Sequence, residues 1–208
     1  MTRTAHDTRE KLITTGQHLF AEQGVFRVPL RTVIEQAGQK NTSALHYHFG
    51  GREGLLGAII ERHNTGIESE RESMLAEIRT GGLHADVRAL VQAFVLPFSR
   101  MLTTSAGREY LRVVAQLSDL FDFWADGPPQ TPAQAHANLV LIAEAMPSVS
   151  PEIRHERCTT LLMLVSDALA LRARQIDRCR PLHMSDDEFV ANLIDMSVGA
   201  LQAAPTSA

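Results

Sequence analysis

Residues 40–52 concentrate side chains suited to reading a nucleic acid. Lys40, Asn41, Thr42 and Ser43 are small or cationic hydrogen-bonding groups, followed by His46, Tyr47 and His48 and then Arg52. Small polar residues at a helix start let the backbone come close to base edges or a phosphate. Lys40, Asn41, Thr42, Ser43, His46 and Tyr47 can face DNA, and Tyr47, His48 and Arg52 can clamp phosphates. Bond-making chemistry finds no comparable set. There are nine histidines, but His46 and His48 diverge on a helix, as do His155 and Glu156. No His-Glu-x-x-His or Cys-x-x-Cys spacing, nucleophile elbow or phosphate loop occurs. An enzyme is not expected, nor a metal or cofactor. Cys158 and Cys179 would lie many turns apart in one helix, too far to pair.

These residues need two short helices joined by a glycine-containing turn, with a supporting helix ahead of them. The first helix is expected to be capped by Asp7, with Glu10 completing a capping box. Leu12, Ile13, Gly16, Leu19 and Phe20 form its stripe and Gly24 stops it. The second has Pro29 in its first turn, a stripe of Leu30, Val33, Ile34 and Ala37, and Gly38 at its end. The third starts near 41–43, turns Ala44, Leu45 and Phe49 inward and ends at Gly50-Gly51. Residues 1–54 hold seven Lys/Arg against five Asp/Glu, a net of +2, while the remainder holds thirteen against nineteen, a net of −6. The sign suits a DNA-facing head on an acidic body.

The other residues also read as helix. The chain has 208 residues, 44% of them hydrophobic and only 5% aromatic, with no hairpin pattern; an all-α fold of about nine helices is predicted. A long fourth helix covers about 52–79. A fifth covers about 84–103 with a kink at Pro97, and a sixth about 107–123. A loop at 126–129 precedes helices at about 132–145 and 151–178, and Ser185 or Asp186 caps a last helix to about 203. The polar N-terminus lacks a signal-peptide pattern, and no apolar run reaches the ~18 residues of a membrane span, so a cytoplasmic protein is expected. The last two helices are apolar on more than one side. They suit either a core plus a partner subunit or a deeply buried monomer core. His63, Phe98, Met101, Tyr110, Val114, Leu117, Phe121 and Trp124 could line an apolar cavity or simply fill the core.

One string goes further. Thr8 to Ile13, Leu19-Phe20-Ala21-Glu22-Gln23-Gly24, Ala37-Gly38, Leu45-His46-Tyr47-His48-Phe49 and Arg52-Glu53-Gly54-Leu55-Leu56 resemble, in order and spacing, the N-terminal domain of the tetracycline-repressor (TetR/AcrR) family. The resemblance covers about residues 8–62. It implies a helix-turn-helix domain over residues 1–52 and a ligand-binding and dimerisation domain over 53–208. It also implies a homodimer through the last two helices on a palindromic double-stranded DNA operator. Such a regulator is usually a repressor released by a small apolar or amphipathic effector. Carried over by position, Arg31 and Thr32 touch phosphates, Asn41, Thr42, Ser43 and His46 read bases, and Tyr47, His48 and Arg52 hold the backbone. The chain departs from the family at Val28-Pro29, where a Thr or Ser is usual, at His46, and in a 39–42 turn one residue longer. Ligand is expected to act by shifting the fourth helix, which starts beside Arg52. Two other readings stay open from the residues alone, an enzyme and a helical protein-interaction module.

Overall fold

The computed structural model describes residues 3–39, 43–118 and 132–204. They contain nine α-helices and no strand: α1 (Arg3–Gln23), α2 (Leu30–Gln36), α3 (Ala44–Phe49), α4 (Arg52–Thr80), α5 (Val87–Ser99), α6 (Ser105–Ala115), α7 (Ala133–Glu144), α8 (Pro151–Asp177) and α9 (Asp186–Gln202). No helix among them is long and apolar enough to cross a membrane.

Two apolar clusters organise the helices. The first joins the inner faces of α1, α2 and α3 to the start of α4, with Leu12, Phe20, Val33, Leu45, Leu55 and Ile59 at its centre. Val113 and Leu117 from α6 and the turn after it complete this cluster. The second fills the body between α4, α5, α7, α8 and α9, around Leu75, Leu90, Leu139, Val165 and Leu193. The stripes predicted for α1 and α2, and Leu45 and Phe49 of α3, point inward, as helical spacing requires.

The ends of the helices follow local hydrogen bonding. The Asp86 carboxylate caps α5, accepting from the amides of Arg88 (2.9 Å) and Ala89 (3.2 Å). Helix α5 therefore begins after residue 84 and ends at Ser99, with Pro97 inside its last turn. The chain then tightens into a 3-10 turn, Arg100–Thr103. Thr104 caps α6, which starts two residues earlier than its expected beginning at Gly107. A Cβ at Gly107 would lie 2.3 Å from the Met101 carbonyl oxygen, so glycine permits that close approach. Ser185 and Glu188 form a reciprocal capping box on α9. The corresponding box expected on α1 does not form. Helix α1 begins at Arg3, Asp7 lies inside it, and the Glu10 carboxylate turns to Arg62 of α4 at 2.6 Å. A charged partner on a neighbouring helix outcompetes an amide that the helix already satisfies.

Arg172 ties the end of α8 to the start of α9. It donates to Asp186 and to the Met184 carbonyl, both at 2.7 Å, and lies over the Phe189 ring. Both cysteines are free thiols. Burial pushes the Cys158 thiol up to about 12, so it stays protonated and unreactive.

Helix α4 leaves α3 at very close range. A Cβ at Gly54 would sit 1.8 Å from the Phe49 carbonyl oxygen. Gly54→Ala is therefore expected to push α3 off α4 and to destabilise the protein by about 1–3 kcal/mol. Urea denaturation measures this, and an unchanged midpoint would contradict the tight junction.

Candidate nucleic-acid interface and body cavity

Helix α3 is pinned from beneath by Leu45, 2% exposed, and presents a polar outer surface. Ser43 and His46 are exposed and the Tyr47 side chain is 81% exposed. His48 is half-buried, its ring 5.1 Å from Tyr47 edge-on and 6.0 Å from Phe49. Its Nδ1 is buried without a hydrogen-bond partner. On α2, Thr32 is half-buried and Arg31 is exposed, its Nε 2.7 Å from Glu35 one turn on. Such an exposed pair contributes little and exchanges readily for a better anion. Lys40, Asn41 and Thr42 lie outside the described residues.

Arg52 behaves differently from the expectation of a phosphate clamp. Its guanidinium turns inward and donates to the carbonyls of Val25 and Val28, the latter at 2.7 Å, and it lies over the Phe20 ring. The turn between α1 and α2 exposes carbonyls that no helix satisfies, and a half-buried cation there finds stronger partners than water. Arg52 thus braces the turn that places α2.

In the body, α4, α5, α6, α7 and α8 enclose a cavity of about 80 Å³. Phe98, Tyr110 and Val114 are among the residues that line it. Phe121 and Trp124 lie outside the described residues. Three other expected lining residues sit elsewhere. Leu117 belongs to the head cluster and Met101 packs on the body core outside the lining. His63 lies behind Tyr110, the two rings stacked at 4.5 Å, and its Nε2 is 2.9 Å from Gln17 Oε1 on α1. Burial lowers the His63 pKa, so the ring stays neutral.

Arg71 and Asn64, which share this cavity with Tyr110, carry no signal in the sequence that marks them as lining residues. Arg71 is 4% exposed, paired with Glu68 and donating to the Phe94 carbonyl at 3.3 Å. Its Nε is buried without a partner. The other Glu68 oxygen accepts from the Gln134 amide at 2.7 Å. Tyr110 donates its hydroxyl to Asn64 Oδ1 at 2.6 Å, and burial raises its pKa, so it remains a neutral phenol. The only sequence hint of Arg71 was its place in the Glu- and Arg-rich run of α4, which reads as a solvated face.

A polar seam joins head to body. Gln116, in the turn after α6, accepts from the Val25 amide at 2.8 Å and donates to the Phe20 carbonyl at 3.2 Å. Arg112 meets Glu22 at 2.6 Å. Glu109 meets His18 at 2.7 Å and Gln17 at 3.4 Å. Among the described residues no group of three His, Cys, Asp or Glu side chains could hold a metal ion.

No family model matches the sequence, and no curated protein matches it. The fold matches solved structures over nearly all of their length. A gamma-butyrolactone receptor described as an ArpA-like protein is 19% identical, with 94% of this chain and 98% of that one covered at a TM-score of 0.50. A second structure with that description is 16% identical over 95% and 96% of the chains, at 0.54. A TetR-family regulator from Streptomyces coelicolor A3 is 17% identical over 98% and 99%, at 0.50. The chain thus has the all-helical fold of TetR-family regulators.

The brace predicts that Arg52→Ala lowers stability by about 2 kcal/mol in the absence of any DNA, through loss of two charge-assisted hydrogen bonds. Thermal or urea denaturation reads the change. Wild-type stability in this variant would return Arg52 to a role on the DNA alone.

Proposed function

We propose that this chain is a TetR-family transcriptional regulator, a homodimer that binds double-stranded DNA and represses until a small apolar or amphipathic molecule releases it from a palindromic operator. The observation that carries the reading is the outer surface of α3. Ser43, His46 and Tyr47 are presented to solvent by a helix whose inner face is fixed by the head cluster, in a chain with this fold throughout. In the proposed division, residues 1–52 read DNA and residues 53–208 bind ligand and dimerise.

Arg31, Thr32, Lys40, Tyr47 and His48 are assigned to the phosphate backbone, and Asn41, Thr42, Ser43 and His46 to base edges. Arg52 is a positioning residue in this scheme. Dimerisation uses the outer faces of α8 and α9, where Ile153, Met163, Leu171 and Met196 are exposed at helical spacing. Large apolar side chains repeated along one face of a surface helix favour a covering partner, and a two-fold axis there would set two heads about one DNA turn (~34–36 Å) apart.

The cavity beside Arg71 is the proposed effector site. Its aromatic and aliphatic walls suit an apolar body, and the unpartnered Arg71 Nε suits a carbonyl acceptor. Two of the similar structures are gamma-butyrolactone receptors, and a small ligand of that kind matches the chemistry of the lining. Helices α4 and α6 both run from the cavity to the head, so ligand that repositions either one alters the head and with it the operator affinity.

Selection of bound sequences from random DNA, followed by mobility shifts, tests the reading. A palindrome is expected. His46→Ala should change the selected sequence, whereas Arg31→Ala should weaken binding to all sequences and reduce the salt slope by about 1. Uniform weakening by both would deny His46 a reading role, and failure to select any sequence would remove the DNA-binding reading itself.

The dimer surface has its own test. Leu171→Glu combined with Met196→Glu is expected to give a folded monomer by analytical ultracentrifugation. A dimer that survives both changes places the interface elsewhere.

A further inference from the structure

Between the end of α1, the turn that follows it, α6 and the end of α8 lies a cleft of about 380 Å³ for which the proposed regulator has no use. Four guanidinium groups line it. Arg27 comes from the turn after α1, Arg112 from α6, and Arg174 and Arg178 from the C-terminal end of α8. Glu22 is the one carboxylate among the lining residues.

Arg112 is the built part of the site. It is only 6% exposed. One of its terminal nitrogens meets Glu22 at 2.6 Å and the other meets Asp177 at 3.2 Å. Asp177 is shared with Arg108, which it meets at 2.5 Å. The Nε of Arg112 is buried without a hydrogen-bond partner. Arg27, Arg174 and Arg178 enter no ion pair among the described residues.

A bland explanation covers part of this arrangement. Cations at a helix C-terminus are favoured by its partial negative charge, which accounts for Arg174 and Arg178. It does not account for Arg27 and Arg112 converging on the same cleft from the head and from α6. Glu22 and Asp177, the latter shared with Arg108, leave positive charge in excess here, and guanidinium groups so gathered repel one another unless a further anion joins them.

We propose that the cleft binds a doubly charged phosphoryl group, a phosphate monoester or a diphosphate. Guanidinium forks match tetrahedral oxyanions with paired N–H···O bonds, and a dianion offsets more of the excess charge than a carboxylate does. Bound there, the anion bridges Arg27 of the head to Arg174 and Arg178 of the body. Its occupancy therefore fixes the head on the body directly, without passing through the effector cavity. The proposal does not depend on the DNA-binding reading.

The full-length protein is titrated by calorimetry with pyrophosphate and with inorganic phosphate, at matched ionic strength, with acetate as the monovalent control. Saturable binding of pyrophosphate, weaker binding of phosphate and none of acetate are expected. Arg178→Gln and Arg27→Gln, both at exposed positions, should each weaken pyrophosphate binding by about tenfold, as expected for losing one charge-assisted contact. Their circular dichroism should match that of the unaltered protein. Absence of saturation, equal response to acetate, or full affinity in both variants would overturn the site. So would loss of DNA binding in these variants with pyrophosphate binding intact, because the arginines would then serve a polymer backbone.

Discussion

The end of α1 needs hydrogen-bond partners that α1 cannot supply, and the rest of the arrangement follows from where they come from. The Phe20 carbonyl and the Val25 amide both meet the Gln116 side chain, whose Nε2 also donates to the Arg112 carbonyl at 2.7 Å. One amide therefore closes the first helix onto the end of α6. Apolar contact reinforces it, because Val113 and Leu117 are buried in the head cluster and not in the body. Losing this amide would strand a buried backbone N–H, which costs more than an ordinary hydrogen bond contributes. The head consequently sits on α6 as firmly as it sits on α4.

The ion pairs along the seam are unequal. Exposed pairs such as Arg100 with Glu70 or Arg31 with Glu35 contribute little. Arg112 differs, since its side chain is 7% exposed and it is held by carboxylates from both sides. Separating α1 from α6 would leave that cation buried with half its partners, and this penalty, not the attraction itself, resists separation. On the cavity side, neutral His63 donates its Nε2 proton to Gln17 Oε1, because the Gln17 amide nitrogen already donates to the Ala106 carbonyl at 2.8 Å. The Tyr110 ring thus contacts the cavity on one side and a hydrogen-bonded link to α1 on the other.

Much of this fold is legible in the sequence. Ser185 or Asp186 as a cap marks the start of α9, and the structure uses Ser185; the apolar spacing of α2 and α3 marks which faces turn inward. Phe98, Tyr110 and Val114 read from sequence as inward-facing groups, either core or cavity wall, and in the structure they line the cavity. The arginines were not legible. Hydrophobic periodicity assigns a charged residue to the solvated face, yet Arg71 and Arg172 are each nearly fully buried. Arg71 has a local partner in Glu68, one turn before it, but it also donates to the Phe94 carbonyl of α5, and Arg172 is held by Asp186 and Met184 beyond the end of its helix. The partners on other elements are not revealed by helical spacing. Arg52 misled for the same reason. Its position in the family-like string pointed to DNA, while the open carbonyls of Val25 and Val28 claimed its guanidinium. Glu10 was lost to Arg62 in the same way, and with it the expected cap of α1.

Helix α6 shows why coupling between cavity and head need not travel along α4 alone. Tyr110 and Val114, one turn apart, face the cavity. Glu109, Arg112 and Gln116, on the neighbouring stripe, bond to α1 or to the turn after it. A helix turns as a unit because its backbone hydrogen bonds hold its residues in register. A rotation that relieves pressure on Tyr110 must therefore move all three head contacts together. Helix α4 meets both at close range as well: Ile60 lines the cavity and packs on the head cluster, and His63, next to the cavity's Asn64, bonds to Gln17 of α1. Under the proposed function, α4 and α6 therefore move the head together.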